Sequence, residues 1–401
     1  MAKSNLSSKT ISKIIYLDYA ASVSPNPSSI HIEGVNARVK LEKARKDTAT
    51  ALYAQPEEII FTSSGTESNN LAIQGLLVGC WTPEFWVSNT RQLSHIITTN
   101  IEHPSVLETC RILEQRGLAE VTIVAVEENG IVDTRKIKKE IKDNTVLVSV
   151  MYANNEIGTI QPIREIAKEI RHFRKNKKSN FPVFHTDAVQ AVNYLNINVE
   201  QLGVDLLTLS GSKIYDAGRV GVLYKRKSVK LMPIYGGGDQ EMGLHPGTEN
   251  LSEILKFSNA LQSVQKIKEK ENKRLVKLQD YFFMKLEKMS KAGFDTNEVG
   301  VVINGDRENR LPNNINITIS KIPSDLLVIE LSAYGVMISS KSACKSSSEK
   351  GSYVITAIRP ALDRKIGGVR FSFGRDTKKA DIDYTVASLI KIINKLKKWY
   401  Y

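Results

Sequence analysis

The sequence predicts an α/β protein with a mostly parallel central sheet, helices on both faces and a smaller C-terminal α/β domain. From Ile15 to about Thr208, short β-branched runs alternate with longer amphipathic stretches, the pattern of successive βα units. After Asn250 this gives way to a long helical pattern (Leu261, Val264, Leu275, Leu278, Phe282, Leu286, Met289), two short strands and a closing helix. At 401 residues, 41% hydrophobic and 25% charged, the chain is long enough for a large buried core and two domains.

Taken in order, Ile32, Val35 and Val39 mark a helix after Pro27-Ser28-Ser29. Strands are predicted at Ile59 to Phe61, Ile96 to Thr98, Val121 to Val126, Val146 to Met151, Phe181 to Phe184 and Leu206 to Leu209. Further strands fall near Val301 to Asn304 and Asn314 to Ile319, and Ile382, Val386, Leu389, Ile393 and Leu396 line the closing helix. The expected division is a lead-in over residues 1–14, a large domain over 15–255 and a small domain over 256–401. Ser339 to Ser352, rich in Ser and Lys, reads as a mobile loop.

Composition excludes several functions. The net charge is +13, but the basic residues are scattered among acids or along helical faces, without the basic stripe and interleaved aromatics of a nucleic-acid surface. No apolar run approaches a membrane span. Cys80, Cys110 and Cys344 lack metal-ligand spacing and leave an odd thiol, which argues against a disulfide framework and for a reducing compartment. The opening stretch is rich in Lys and Ser with no acid, a feature of organelle-targeting peptides, yet it has no Arg; a disordered lead-in on a cytoplasmic protein is the expectation.

Chemistry concentrates where apolar runs end. Lys213 closes Leu207-Thr208-Leu209-Ser210-Gly211-Ser212-Lys213, and Asp187 closes Phe184-His185-Thr186-Asp187. An amine that can form a Schiff base and a carboxylate that can keep a pyridine nitrogen protonated are the pair a protein needs to hold pyridoxal 5′-phosphate. Ser63-Ser64-Gly65-Thr66-Glu67 opens a helix after a strand; its free amides and hydroxyls suit a phosphate, and equally a plain helix cap. His103 follows a strand, where ligands bind in open α/β sheets, although a lone His is more often structural than catalytic. Asn155 lies in Ala153-Asn154-Asn155-Glu156-Ile157-Gly158, a strand end that also reads as ordinary turn chemistry.

Arg370 alternates with Val369, Phe371 and Phe373, so its guanidinium leaves the opposite face, fit to grip a carboxylate or to form a surface ion pair. Cys344 stands in hydrophilic Ser342-Ala343-Cys344-Lys345-Ser346, with Lys341, Lys345 and Lys350 nearby to favour the thiolate. Cys80 and Cys110 have apolar neighbours and read as packing.

From about Tyr16 to the C-terminus the chain resembles the cysteine desulfurases of the class V aminotransferase family. The resemblance is carried by Tyr16-Leu17-Asp18-Tyr19-Ala20-Ala21, Asn26 to His31, Thr66-Glu67-Ser68-Asn69-Asn70, Asn154 to Gly158, His185-Thr186-Asp187-Ala188-Val189-Gln190, Gly247-Thr248-Glu249-Asn250, Asn304-Gly305-Asp306, Ser342-Ala343-Cys344 and Arg370 to Arg375. It implies a fold-type I pyridoxal-phosphate enzyme in which Lys213 carries the cofactor, Asp187 pairs with the pyridine nitrogen and His103 stacks on the ring. Gln190 and Asn155 bond the ring oxygen. Gly65, Thr66, Ser210 and Ser212 hold the phosphate, joined by Thr248 from the second subunit of a homodimer. Arg370 holds the carboxylate of L-cysteine, Lys213 or His103 removes the Cα proton, and Cys344 takes the sulfur as a persulfide. Alanine leaves, and the sulfur passes to an acceptor protein for iron–sulfur clusters or thiolated tRNA.

The chain departs from the family pattern in four ways. Ser212 precedes Lys213 where a His is usual, Asp216-Ala217-Gly218 replaces the usual Gly-Pro, and His245 stands for an Arg. A helical segment expected after Ala21 is missing, while Cys80 to Gln92 is added. These leave a selenocysteine lyase or another class V lyase, and a catalytically degenerate scaffold, as competing expectations; Cys344 favours desulfuration.

Overall fold

The computed structural model describes residues 14–80, 93–291, 300–340 and 351–400. Cys344, the added Trp-containing stretch beyond Cys80 and the N-terminal lead-in up to Lys13 lie outside the described residues.

Seven strands make the large sheet: β1 (Ile59–Thr62), β2 (Ser94–Thr99), β3 (Ala119–Val124), β4 (Thr145–Ser149), β5 (Val183–Asp187), β6 (Leu206–Ser210) and β7 (Gly221–Lys225), in the spatial order β1-β7-β6-β5-β4-β2-β3. β2 to β6 pair in parallel, whereas β7 runs antiparallel to both β6 and β1. Six strands therefore release their carboxyl ends on one side of the sheet, where open α/β sheets bind ligands.

Side chains alternate between two apolar cores, as a two-residue period demands. Ile60, Ile96, Leu147, Leu206 and Leu223 face α2 (Gly65–Gly79) and α3 (Pro104–Gln115), meeting Leu71, Leu76, Val106 and Leu113. Ile59, Phe61, Ile97, Val148, Leu207 and Val222 face the other way, onto α1 (Ile32–Leu52), α5 (Ile163–Lys177) and the start of α7 (Leu251–Lys291), meeting Leu41, Ile166, Phe257 and Leu261. Each fully buried Leu or Ile contributes roughly 2 kcal/mol of apolar transfer free energy. The helices between, α4 (Thr134–Glu140) and α6 (Val199–Leu202), are short connectors.

Two histidines sit inside this sheet. His185 on β5 is fully buried and bridges Ser149 on β4 (2.8 Å) and Thr208 on β6 (3.1 Å). His95 on β2 likewise bridges Thr145 (2.9 Å) and Thr122 (2.8 Å). Both ring nitrogens of each are satisfied, which makes burial of the imidazole tolerable.

A second core surrounds the antiparallel sheet β8 (Val301–Ile303), β9 (Asn314–Ile319) and β10 (Val369–Ser372), ordered β10-β9-β8. Ile315, Ile317, Val369 and Phe371 meet Leu275, Phe282 and Leu286 of α7, Leu327 of α8 (Ser324–Ala333), and Val386, Leu389 and Ile393 of α10 (Lys379–Tyr400). At 41 residues, α7 is roughly 60 Å long and belongs to both cores: Phe257 to Val264 pack in the first, Leu275 to Met289 in the second. The chain also returns to the first core through Val354, Ile355 and Ile358 of α9 (Tyr353–Ile358).

α1 presents an unexpected face. Gly34, Ala37, Leu41, Ala44, Thr48 and Ala49 turn inward, whereas the periodic stripe Ile32, Val35 and Val39 points to solvent. Together with Leu17, Val23 and Ile30, exposed at 88%, 88% and 94%, that stripe leaves a broad apolar surface uncovered on the isolated chain. α1 is fixed by Arg45, whose guanidinium makes a two-pronged, buried ion pair with Glu241 (2.7 and 2.8 Å) and donates to the Ile59 carbonyl.

Candidate active site

At the carboxyl side of the sheet lies a cleft of about 570 Å³. Gly65, Thr66, His103, Asn155, Asp187, Gln190, Ser210, Ser212, Lys213 and Arg370 all line it. Residues spread over 306 sequence positions thus converge because the strands and loops that carry them end on one side.

β1 hands over to α2 through Ser64, extended at φ −165°, whose hydroxyl accepts from the Glu67 amide at 3.2 Å. Gly65 follows against β6: a Cβ there would lie 3.0 Å from Ser210 Cβ and 3.1 Å from Val189 Cγ2, tighter than ordinary contact. The bare helix N-terminus and the paired hydroxyls of Ser210 and Ser212, 3.0 Å apart, make an anion cradle. Gly211 permits the tight turn between them, since a Cβ would meet the Gly218 carbonyl oxygen at 2.6 Å.

Asp187 ends β5, buried, with Oδ2 accepting from Asn69 Nδ2 at 2.7 Å and Oδ1 from the Val189 amide at 3.0 Å. His103 caps α3. Burial, aided by the Lys213 cation, holds the His103 imidazole below its ordinary value against the opposing pull of Asp187, so the ring is neutral at pH 7. Lys213 sits at the end of the turn after β6, its carbonyl accepting from Asn193 Nδ2 at 2.6 Å.

Asn154 shapes its own loop: Oδ1 accepts from the amides of Glu156 (2.8 Å) and Ile157 (3.0 Å), and Nδ2 donates to the Ile101 carbonyl. That leaves Asn155 to face the cleft, with Oδ1 buried and unpartnered among the described residues. The Asn155 carbonyl accepts from Arg370 Nη1 at 2.7 Å, while Arg370 Nε is buried and unpartnered among them. Burial pushes the Arg370 guanidinium down, opposed by Glu156; a desolvated cation of this kind gains by meeting a carboxylate.

Two expected residues stand apart. Thr248 is exposed and does not line this cleft. Cys344 lies outside the described residues. Conversely Asn69, Ser105, Asn314 and Ser372 also line the cleft without having been singled out. Asn69 sits inside the motif Thr66 to Asn70, but its part depends on α2 packing beside β5, which no local pattern reports.

The substituted positions have defined environments. Asp216 adopts a left-handed φ of 66°, a conformation glycine takes without strain, and lies 3.3 Å from Arg375, which also stacks over the Tyr215 ring at 4.2 Å. His245 Nε2 lies 3.0 Å from Glu67 Oε1, beside Tyr235. Burial raises Glu67, but hydrogen bonds from the Tyr235 hydroxyl and the Ser63 amide outweigh it and leave the carboxyl below its ordinary value. Among the described residues no cluster of three or more His, Cys, Asp or Glu could hold a metal, and no helix is long and apolar enough to cross a membrane.

A family model described as aminotransferase class-V matches residues 2–385. The chain belongs to the class V aminotransferase family. A cysteine desulfurase IscS of Dictyoglomus turgidum is 40% identical over 400 residues, covering 96% of this chain and 95% of that one. Another IscS, from Methanosarcina thermophila, is 40% identical over 372 residues, covering 93% and 86%. Among solved structures, a NifS-like protein superposes with a TM-score of 0.79 at 31% identity, covering 92% of each chain. "SspA in complex with cysteine" gives a TM-score of 0.67 at 31% identity, covering 87% of this chain and 90% of that one. These relatives agree with the architecture: a fold-type I sheet with one antiparallel strand.

Enzymes of this class depend on pyridoxal 5′-phosphate, and the cleft fits that group. It offers an amine, a locked carboxylate, a neutral imidazole and an anion cradle, and a Cβ at Gly65 would crowd the cradle.

Proposed function

We propose that this chain is a pyridoxal-phosphate cysteine desulfurase, converting L-cysteine to L-alanine and passing the sulfur, as a persulfide on Cys344, to an acceptor protein. The observation that carries the reading is the convergence of Lys213, Asp187, His103, the α2 cradle and Arg370 on one cleft. It is supported by relatives named cysteine desulfurase at 34–40% identity.

When bound, the cofactor supplies an electron sink for charge developing at the substrate Cα. The chain's own groups do the rest. Gly65, Thr66, Ser210 and Ser212 would hold the phosphate, and Asp187, tied down by Asn69, would present a carboxylate to the ring nitrogen. His103 would stack on the ring, and Asn155 and Gln190 would meet its oxygen. Arg370 offers Nε, which has no partner among the described residues, to the substrate carboxylate. Lys213 or His103 would take the Cα proton, and the Cys344 thiolate would attack the cysteine sulfur, breaking its Cβ–S bond so that the bonding pair stays with the three-carbon fragment, which is protonated and leaves as alanine. Cys80 and Cys110 are unsuited to that role, because burial pushes both thiols up to about 12.

The working unit in this reading is a homodimer. Thr248 is exposed on its own chain and would complete the cradle of a second copy, and the uncovered stripe from Leu17 to Val39 supplies an apolar surface for the contact. We place the enzyme in the cytoplasm, acting on free cysteine.

Incubation with L-cysteine and a thiol reductant tests the reading: sulfide and alanine should appear in equal amounts. Lys213→Ala should abolish both, whereas Cys344→Ser should retain cofactor and lose persulfide transfer. Cofactor uptake with neither product from the unaltered chain would leave the scaffold reading standing.

A further inference from the structure

Behind the cleft a continuous run of hydrogen bonds joins Asp187 to His103. Asn69 is 1% exposed and Ser105 8%, so both act out of reach of bulk water. Asn69 Nδ2 donates to Asp187 Oδ2 at 2.7 Å and to Ser105 Oγ at 2.8 Å. The amide orientation is forced, because an ionised carboxylate only accepts. Ser105 Oγ, already an acceptor, lies 2.7 Å from His103 Nδ1, and the Ser105 backbone N–H points at the same nitrogen from 3.1 Å. A backbone N–H cannot reverse its polarity. Were Nδ1 protonated, two donors would face each other in a buried site, which costs on the order of 1–3 kcal/mol for the unmade bond.

We propose that Asn69 and Ser105 are positioning residues for the reaction: they fix His103 as the neutral tautomer with its proton on Nε2, and so leave the base role to Lys213. The assignment of the base rests on the desulfurase reading; the tautomer does not. Donation diverges from the Asn69 amide, to Asp187 at one end and through the Ser105 hydroxyl to His103 at the other. Orienting the two groups expected to meet the cofactor ring, one at its nitrogen and one on its face, is therefore one task, shared by one amide. A histidine that carries its proton on Nε2 and has Nδ1 occupied by two donors has no lone pair left to take a proton from Cα. It remains a hydrogen-bond donor. Burial of the ring and the nearby Lys213 cation work in the same direction, against the imidazolium.

The test reads the nitrogens directly. The full chain has 6 histidines, and ¹⁵N-histidine labelling with long-range proton–nitrogen correlation resolves the tautomer of each, His103 being assigned by its loss in His103→Gln. With pyridoxal phosphate bound, and separately without it, His103 at neutral pH should show one species, protonated at Nε2 and unprotonated at Nδ1. A species protonated at Nδ1, or at both nitrogens, overturns the proposal. Ser105→Ala keeps the backbone N–H but loses the hydroxyl, so the Nε2-protonated form should stay the major species with a minor Nδ1-protonated form in exchange, and Ser105→Thr, which keeps the hydroxyl, should restore the single species. An unchanged single species in Ser105→Ala overturns the part assigned to the relay. Cofactor uptake, followed by absorbance, fails independently if the desulfurase reading is wrong, and the spectrum of the cofactor-free chain still decides the tautomer.

Discussion

Two buried residues near the site set opposite pH dependences. Burial drives His185 down to about 3, so unfolding must protonate it at any pH between that value and the ordinary 6.5. Stability from this group is complete above pH 6.5 and falls as pH drops toward 3. Burial raises Glu102 to about 8, with Asp187 adding to the rise and bonds from the Met151 amide and Thr99 opposing it. Its contribution is complete below 4.5 and falls as pH climbs toward 8. Each slope is about 1.4 kcal/mol per pH unit, so the two cancel between 4.5 and 6.5. Urea midpoints should therefore peak across that window; Glu102→Gln should flatten the decline from 6.5 to 8, and His185→Gln the decline below 4.5. Arg370→Lys keeps the charge but loses the planar fork, and steady-state kinetics should show KM for cysteine raised ~10-fold or more with kcat changed less.

At the scale of elements, the Arg45–Glu241 pair fastens α1 to the loop before α7, with the Phe61 amide donating to the same carboxylate at 2.8 Å. Arg45→Met strands a buried charge, and chemical denaturation should report a loss of about 3–5 kcal/mol. Of the strands, β1 to β6, β8 and β9 were legible because their apolar runs end at polar or small residues. β7 was not, because its place between β1 and β6 joins positions some 160 residues apart in sequence. α1 was legible as a helix but not as to its inner face. Gly34, Ala37, Ala44 and Ala49 are too small to dominate a hydrophobic pattern, yet they let α1 approach α7 closely, while the conspicuous Ile32, Val35 and Val39 look outward. The cleft residues were legible one by one through strand ends. The Asn69–Ser105 link was not, since it needs two helices side by side.

For the whole molecule, Leu17, Val23 and Ile30, 88–94% exposed beside the outward stripe of α1, are the apolar side chains a second copy could cover. If the chain pairs through this surface as proposed, Val39→Glu together with Ile30→Glu should convert dimers to monomers in sedimentation, and cofactor affinity should fall in parallel as each cradle would lose a neighbouring Thr248. Thr248→Ala in an intact dimer should lower affinity without changing mass, which separates the two effects.

The ends of the stretch that bears Cys344 are fastened to different bodies. On one side Ser339 exchanges backbone bonds with Arg370 of the small sheet. On the other, Tyr353 donates to the Glu102 carbonyl at 2.6 Å and Ser352 holds the Glu156 carboxylate, both in the large core. Cys344 follows Ser339 by five residues, so chain length alone keeps it within roughly 18 Å of that mooring. In the proposed desulfurase such a short tether would keep the sulfur at the doorstep of the cleft, where its recipient would have to come to collect it.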